Sequence, residues 1–138
     1  MIDPAVSPDW DAMLAAATAA RERALAPFSH FRVGAALATA AGLIITGCNI
    51  ENASYGLTVC AERVALWKAL SDGHRHFAAL LVVADTETLT PPCGACRQLI
   101  WEFGGDLPVR LANLHGRQET LRAGTLLPRA FDAGFLRG

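Results

Sequence analysis

An unbroken apolar run at residues 77–84 constrains the fold of this chain more than any other sequence feature. Its eight residues, Phe77 to Ala84, include no charge and are rich in valine and leucine. Such a run fits a central strand buried on both faces, because a strand with one solvent-exposed face would alternate apolar and polar residues. A strand of this kind needs helices on both sides of its sheet, so the sequence predicts an α/β architecture.

Helical and strand patterns surround this run in an order that suits such a sheet. Ser7 followed by Pro8 predicts the start of a first helix, whose apolar spacing continues to Ala26. We expect a three-layer α-β-α sandwich with a mixed five-stranded sheet, in a single domain over residues 1–138. The other predicted strands cover 33–38, 43–47, 108–113 and 118–121, the other helices cover 60–73 and 94–103, and a last structured piece covers 128–135.

The charge and the spacing of polar residues argue against nucleic-acid and membrane partners. Twelve basic and thirteen acidic residues give a net charge of −1, without a basic patch or tail for phosphates. The longest uncharged stretch, 33–50, is interrupted by glycine, threonine and asparagine, which break it as a membrane span. The first basic residue is Arg21, so the beginning of the chain lacks a signal-peptide pattern. We therefore expect a cytoplasmic globular protein.

The cysteines predict a metal site. Cys93 and Cys96 form a C-x-x-C pair at the start of one predicted helix, and Cys60 starts another. In a cytoplasmic chain such cysteines favour metal binding or catalysis over disulfides. Three thiolates leave one position of a tetrahedral zinc ion open, which is the pattern of a catalytic site. Cys48 is the alternative fourth ligand, although we interpret it as a small buried thiol at a strand end.

Glu62 gives the cysteine pattern a catalytic meaning. It lies two residues after Cys60, in the first helical turn, where its carboxylate can reach a metal-bound water. The alternative is an ordinary first-turn glutamate that interacts with the helix dipole. The spacing C-x-E, followed about thirty residues later by P-C-x-x-C, is the signature of the zinc-dependent nucleoside and nucleobase deaminases.

Five segments together resemble a known family. The chain is similar over nearly its whole length to the small zinc-dependent cytidine deaminases of pyrimidine salvage, the homotetrameric type with three cysteine ligands. Two positions depart from the usual pattern of that family, since Phe28 stands where tyrosine is frequent and Pro91 where serine is common. We expect neither departure to affect the chemistry. The matching segments are Ser29–Ala36, Gly47–Gly56, Cys60–Arg63, Pro92–Gln98 and Leu126–Phe131.

The resemblance implies a role for each matching site residue. It implies one zinc ion per chain, proton transfer by a glutamate, and a pocket shared between subunits of a homotetramer. In this chain the zinc ligands would be Cys60, Cys93 and Cys96, and the proton carrier Glu62. Asn49 and Glu51 would bind ribose hydroxyls, Phe31 would flank the base, and the Ala61 carbonyl would contact the departing amino group. Ala53, Tyr55 and Phe131 would complete a neighbour's pocket, and Arg63 would donate hydrogen bonds to ligand sulfurs.

The reaction implied is the hydrolytic deamination of free cytidine and deoxycytidine to uridine and deoxyuridine. Two alternatives share parts of the pattern. A blasticidin-S-type deaminase has the same metal motifs, although we do not match the Asn49 and Glu51 pair to that group. A non-catalytic zinc-stabilised module would explain the cysteines but would leave Glu62 without a purpose.

Overall fold

A mixed five-stranded sheet, in the order β2-β1-β3-β4-β5, organises the chain. The structure is a computed structural model that describes residues 7–137. The short segments Tyr55–Leu57 and Ala133–Leu136 are 3₁₀ turns. The helices and strands are α1 (Trp10–Arg21), β1 (Val33–Thr39), β2 (Ile44–Cys48), α2 (Ala61–Ser71), β3 (Phe77–Ala84), α3 (Gly94–Gly104), β4 (Pro108–Ala112), β5 (Gln118–Arg122) and α4 (Ala123–Leu126).

The predicted mixed sheet is confirmed strand by strand. The β1–β2 hairpin is antiparallel, and β1 also pairs antiparallel with β3. β3 and β4 are parallel and are joined through α3, whereas β4 and β5 form an antiparallel hairpin. The apolar run 77–84 coincides with β3, and this strand lies at the centre of the sheet.

Alternate residues of β3 pack into two separate cores. Leu80 and Val82 contribute to the core beneath α2 and α3, while Leu81 and Val83 contribute to the core beneath α1. All four side chains are almost completely buried. Because successive side chains of a strand point to opposite faces, a strand that is apolar throughout holds two helical layers together. The predicted α-β-α layering is therefore confirmed.

Two glycines let helices lie directly on the strands. A Cβ at Gly34 of β1 would be 2.0 Å from the Ala17 carbonyl oxygen of α1. A Cβ at Gly47 of β2 would be 2.5 Å from both the Ala61 oxygen and the Ala65 nitrogen of α2. No side chain fits between these backbones, so the positions of both helices are set by close backbone contact.

The first helix differs from its predicted bounds at both ends. It begins at Trp10 and not at Pro8, because the Asp9 carboxylate accepts a hydrogen bond from the Ala12 N–H and acts as the N-cap. It ends at Arg21 and not at Ala26. The later residue Leu25 instead exchanges backbone hydrogen bonds with Asn49 and Glu51, and so it forms an isolated parallel bridge with Ile50.

The end of the chain also differs from the prediction. The sequence pattern predicts structure at 128–135, but the structure contains the short helix α4 and a 3₁₀ turn at Ala133–Leu136.

Among residues 7–137, no helix has both the length and the apolar character needed to span a membrane.

Candidate active site

Three thiols meet where the N-termini of α2 and α3 come together. Cys60 is the N-cap of α2, Cys93 is the N-cap of α3, and Cys96 lies in the first turn of α3. The Sγ atoms of Cys60 and Cys93 are 3.7 Å apart, and those of Cys93 and Cys96 are 3.5 Å apart. Sulfurs bound to one tetrahedral zinc at about 2.3 Å would be about 3.8 Å apart, so the three thiols fit this ion.

The rest of the described chain adds no fourth ligand to this cluster. Within residues 7–137, the group that could hold a metal consists of Cys60, Cys93 and Cys96 alone. Cys48 is a free, half-buried thiol at the end of β2. The cluster therefore has the three-ligand composition of a catalytic site, with one coordination position left for water or substrate.

Arg63 supplies positive charge to the thiol cluster. Its guanidinium NH2 donates a hydrogen bond of 3.5 Å to Cys60 Sγ. The pKa of Cys60 is lowered to about 5, first because its thiolate accepts the hydrogen bond of the Cys96 thiol and then because of Arg63. The pKa of Cys96 is raised, since that thiol donates to Cys60 and is also buried. The cluster thus favours thiolate at Cys60, the form that binds metal.

Glu62 lies in the first turn of α2, two residues after Cys60. Its side chain is 5% exposed, which is rare for a carboxylate. Burial raises the pKa of Glu62 to about 7, because an ionised carboxylate loses its hydration there. A helix-dipole role would suit an exposed first-turn glutamate, so this burial argues for a chemical task.

A cavity of about 160 Å³ opens beside the thiols. It brings together five elements of the prediction: two thiols of the cluster, the buried Glu62, its neighbour Ala61, the aromatic Phe31 and the amide Asn49. Sequence reasoning missed most of the remaining wall, which comes from the strands β1 and β3 and from two loops. The complete lining is Phe31, Val33, Asn49, Thr58, Val59, Cys60, Ala61, Glu62, Val82, Thr90, Pro91 and Cys93.

Two predicted details can be compared with this geometry. Pro91, where serine is common in the family, lies on the cavity wall, and its side chain brings no hydroxyl to it. The Ala61 carbonyl oxygen lies against Gly47 of β2 and so faces the sheet. The backbone N–H of Ala61, the first residue of α2, has no partner within the helix and is the group left for a ligand.

Asn49 and Glu51 are both hydrogen-bonded to the segment that carries Phe31. Asn49 Nδ2 donates to the Phe31 carbonyl at 2.7 Å, and Asn49 Oδ1 accepts from the Val33 N–H at 2.9 Å. The Glu51 carboxylate accepts from the backbone of Phe28 and from both the backbone and the hydroxyl of Ser29. These bonds, led by the one from the Ser29 hydroxyl, lower the pKa of Glu51.

Four predicted substrate-binding residues lie outside the cavity that the described part of this chain forms by itself. Glu51 lines a different depression, of about 590 Å³, that also includes His30 and Arg32. Ala53 is exposed on the loop after β2. The aromatic side chains of Tyr55, in the 3₁₀ turn that follows, and of Phe131, after α4, are exposed too, at 76% and 58%. Phe28, the other departure, makes an edge-to-face contact with Tyr55.

Polar side chains of α3 hold the end of the chain. Arg97 donates to the Pro92 carbonyl at 2.8 Å and to the Leu126 carbonyl at 3.1 Å. Gln98 donates to the Phe131 carbonyl at 2.7 Å, and Trp101 Nε1 donates to the Asp132 carboxylate at 2.9 Å. The helix that carries two of the thiols therefore also fixes the segment that presents Phe131.

Three clustered thiols and a buried carboxylate beside an open cavity define a zinc-dependent hydrolase. Residues 7–109 match the family model of the cytidine and deoxycytidylate deaminase zinc-binding region. The chain belongs to this family. The resemblance predicted from five segments is confirmed, and the zinc predicted from the cysteines is supported by both the family match and the thiol cluster.

Individual relatives and solved structures agree with the family match. A cytidine deaminase of Sporosarcina psychrophila is 54% identical over 125 residues, which are 90% of this chain and 92% of the relative. The crystal structure of a cytidine deaminase from Burkholderia pseudomallei superposes with a TM-score of 0.86 at 53% identity, covering 88% of this chain and 98% of that one. A blasticidin-S deaminase of Bacillus cereus is 33% identical over 104 residues, covering 70% of this chain and 74% of the relative.

Proposed function

We propose that this chain catalyses the hydrolytic deamination of free cytidine and deoxycytidine, with release of ammonia and of uridine or deoxyuridine. One observation carries the proposal: a single cavity contains metal-binding thiols, a buried glutamate, an aromatic ring and an amide suited to a sugar hydroxyl. The 54% identical relative from Sporosarcina psychrophila is a cytidine deaminase, which supports this substrate class. The chain acts as one catalytic domain over residues 1–138, in the cytoplasm and in pyrimidine salvage.

Cys60, Cys93 and Cys96 hold one zinc ion in this proposal. When bound, zinc supplies Lewis acidity, which makes a hydroxide nucleophile available near neutral pH. Three thiolates give such a centre a net charge of about −1, which weakens that acidity. The hydrogen bond from Arg63 to Cys60 withdraws negative charge from the sulfur and offsets this weakening.

Glu62 moves the protons of the reaction. It takes a proton from the attacking water while the oxygen bonds to C4, and it delivers that proton to ring N3. It then transfers the proton of the new C4 hydroxyl to the amino nitrogen. The C4–N bond breaks, ammonia leaves, and the C4 carbonyl forms. Burial of Glu62 supports this role, because a buried carboxylate exchanges protons with the substrate and not with bulk water.

The nucleoside is held by the walls of the cavity. The Phe31 ring flanks the base, and the free backbone N–H of Ala61 donates to a polar atom of the ring. Asn49 keeps one unused N–H after its bond to the Phe31 carbonyl, and this N–H binds a sugar hydroxyl. The sugar reaches from this cavity to the depression lined by Glu51, whose carboxylate accepts a hydrogen bond from it.

Exposed side chains complete the pocket of a neighbouring subunit in our proposal. Ala53, Tyr55 and Phe131 contribute nothing to the cavity formed by the described residues of their own chain, although the resemblance places them at a substrate. A homotetramer with shared pockets accounts for both facts. Measuring the mass in solution tests this assembly, and a monomer with full turnover would contradict it.

A spectrophotometric assay tests the activity. Zinc-loaded protein is mixed with cytidine, deoxycytidine or blasticidin S, and the loss of ultraviolet absorbance is followed. We expect rapid loss with both nucleosides and slow or no loss with the antibiotic. The reverse order would favour a blasticidin-S deaminase, and no change with any substrate would favour a zinc-stabilised module.

Matched thiol variants separate the metal site from general effects of losing a cysteine. Cys60→Ser removes one of the clustered thiols, whereas Cys48→Ser removes a thiol outside the cluster. We expect only the first to lose zinc and activity. Equal losses in both variants would contradict the ligand assignment.

A further inference from the structure

The Glu51 carboxylate is bound by Phe28 and Ser29, just before Phe31. Glu51 Oε1 accepts from the Phe28 N–H at 2.9 Å and from the Ser29 N–H at 3.1 Å, and Oε2 accepts from the Ser29 hydroxyl. The same Ser29 oxygen accepts from the Phe31 N–H at 3.0 Å. The Ser29 hydroxyl therefore links the Glu51 carboxylate to the backbone of Phe31, a residue that lines the cavity.

The Ser29 hydroxyl determines the orientation of the carboxylate. Two backbone N–H groups bind only Oε1, and a single bound oxygen would leave the other free to take several positions. The hydroxyl proton of Ser29 fixes that second oxygen, Oε2. Hydrogen bonds to an ionised carboxylate are stronger than neutral ones, so this contact is worth more than an ordinary serine bond.

Counting donors and acceptors shows what the pair of polar side chains has left for a ligand. An ionised carboxylate has about four lone-pair sites, and three of those on Glu51 are occupied. Asn49 has one N–H left, and its Oδ1, which accepts from the Val33 N–H, keeps one lone pair. The one free site on Glu51 is an acceptor on Oε2, which suits the proton of a sugar hydroxyl.

We propose that Ser29 is a positioning residue for the sugar, because its hydroxyl holds Glu51 in the orientation that leaves one acceptor for a sugar hydroxyl. This inference rests on the proposed function, in which Glu51 and Asn49 bind the nucleoside. Ser29 acts through Glu51 and takes no part in proton transfer. Its removal therefore weakens nucleoside binding and leaves the chemical step intact.

Steady-state kinetics on cytidine test the inference with zinc-loaded, full-length protein. Turnover by the unmodified chain is the separate test of the proposed function. Ser29→Ala is expected to raise KM about tenfold, the effect of losing one hydrogen bond to a charged group at a partly exposed position, and to leave kcat within about twofold. Ser29→Thr keeps the hydroxyl and should restore most of the binding. Ser71→Ala, at the exposed end of α2, is the matched control.

A double variant shows whether Ser29 acts through Glu51. In a Glu51→Ala background, Ser29→Ala should cause no further rise in KM, because the group that it positions is gone. The same tenfold rise in that background would overturn the inference, as would an unchanged KM in Ser29→Ala itself. A loss of zinc or of melting temperature would indicate a structural role and overturn it too.

Discussion

Gly47→Ala should damage the metal site through a contact with helix α2. The new Cβ would lie 2.5 Å from both the Ala61 carbonyl oxygen and the Ala65 nitrogen, and 3.1 Å from the Val64 Cβ. All three contacts are on the first turns of α2, the helix that begins immediately after Cys60. The substitution should therefore displace Cys60 and its neighbour Glu62 relative to the thiols of α3.

The size of the effect follows from these distances. Ordinary contact begins near 3.4 Å, so the start of α2 must retreat by about 1 Å. Such overpacking costs about 1–3 kcal/mol of folding free energy. A displacement of about 1 Å in a catalytic constellation can lower the rate about 10²-fold, and we expect this loss in kcat/KM for cytidine. Zinc content per chain should fall as well, measured by metal analysis after dialysis against a weak chelator.

Gly34→Ala is the control for general destabilisation. Its Cβ would be 2.0 Å from the Ala17 oxygen, so it displaces α1 on the opposite face of the sheet and leaves α2 in place. We expect a lower denaturation midpoint in urea but normal zinc content and normal kcat in the folded fraction. Equal zinc loss in the two variants, or full activity in Gly47→Ala, would refute the idea that this close contact positions the site.

Three other perturbations address the chemistry of the site directly. Glu62→Gln should keep the fold and the zinc but lower kcat by about 10²–10⁴-fold, and near-normal turnover of cytidine would contradict the proton-transfer role. Removal of zinc by a chelator should lower the melting temperature, and added zinc should restore it, because the ion binds only the folded arrangement of α2 and α3; calorimetry measures both changes. Arg63→Ala should weaken zinc binding about 10–100-fold in competition with a chromophoric chelator, and an unchanged affinity would exclude its hydrogen bond to Cys60 from the function of the site.

The accuracy of the predicted elements follows the strength of their burial. The strand β3 is apolar throughout, and its predicted bounds match the structure. The end of α1 is wrong by five residues, because the helical spacing of Leu25 competes with a backbone bridge to Ile50 that sequence spacing does not reveal. The spacing of apolar residues predicts an element well when that element packs against the core. It does not show where pairing with a distant part of the chain ends a helix.

The site residues also differ in how well the sequence predicts them. The clustering of Cys60, Cys93 and Cys96 agrees with the spacing of two motifs, each at the start of a helix. Thr58 and Thr90 on the cavity wall come from loops without any periodicity, so no sequence signal indicated them. Ser29 lies inside a matching segment, but its bond to Glu51 joins positions 22 residues apart and could be found only in three dimensions.

Helix α3 both presents two thiols and holds the segment that carries Phe131. This double role has a consequence for tetramers that combine intact and defective chains. Its N-terminus presents Cys93 and Cys96 to one site, while Gln98 and Trp101 hold the segment that carries Phe131. Under the proposed assembly, that aromatic ring serves the adjacent site. A defect in this helix would then be dominant, because each defective copy would impair a healthy neighbour as well as itself. In tetramers reconstituted from intact and defective chains, activity would fall faster than the fraction of intact chains.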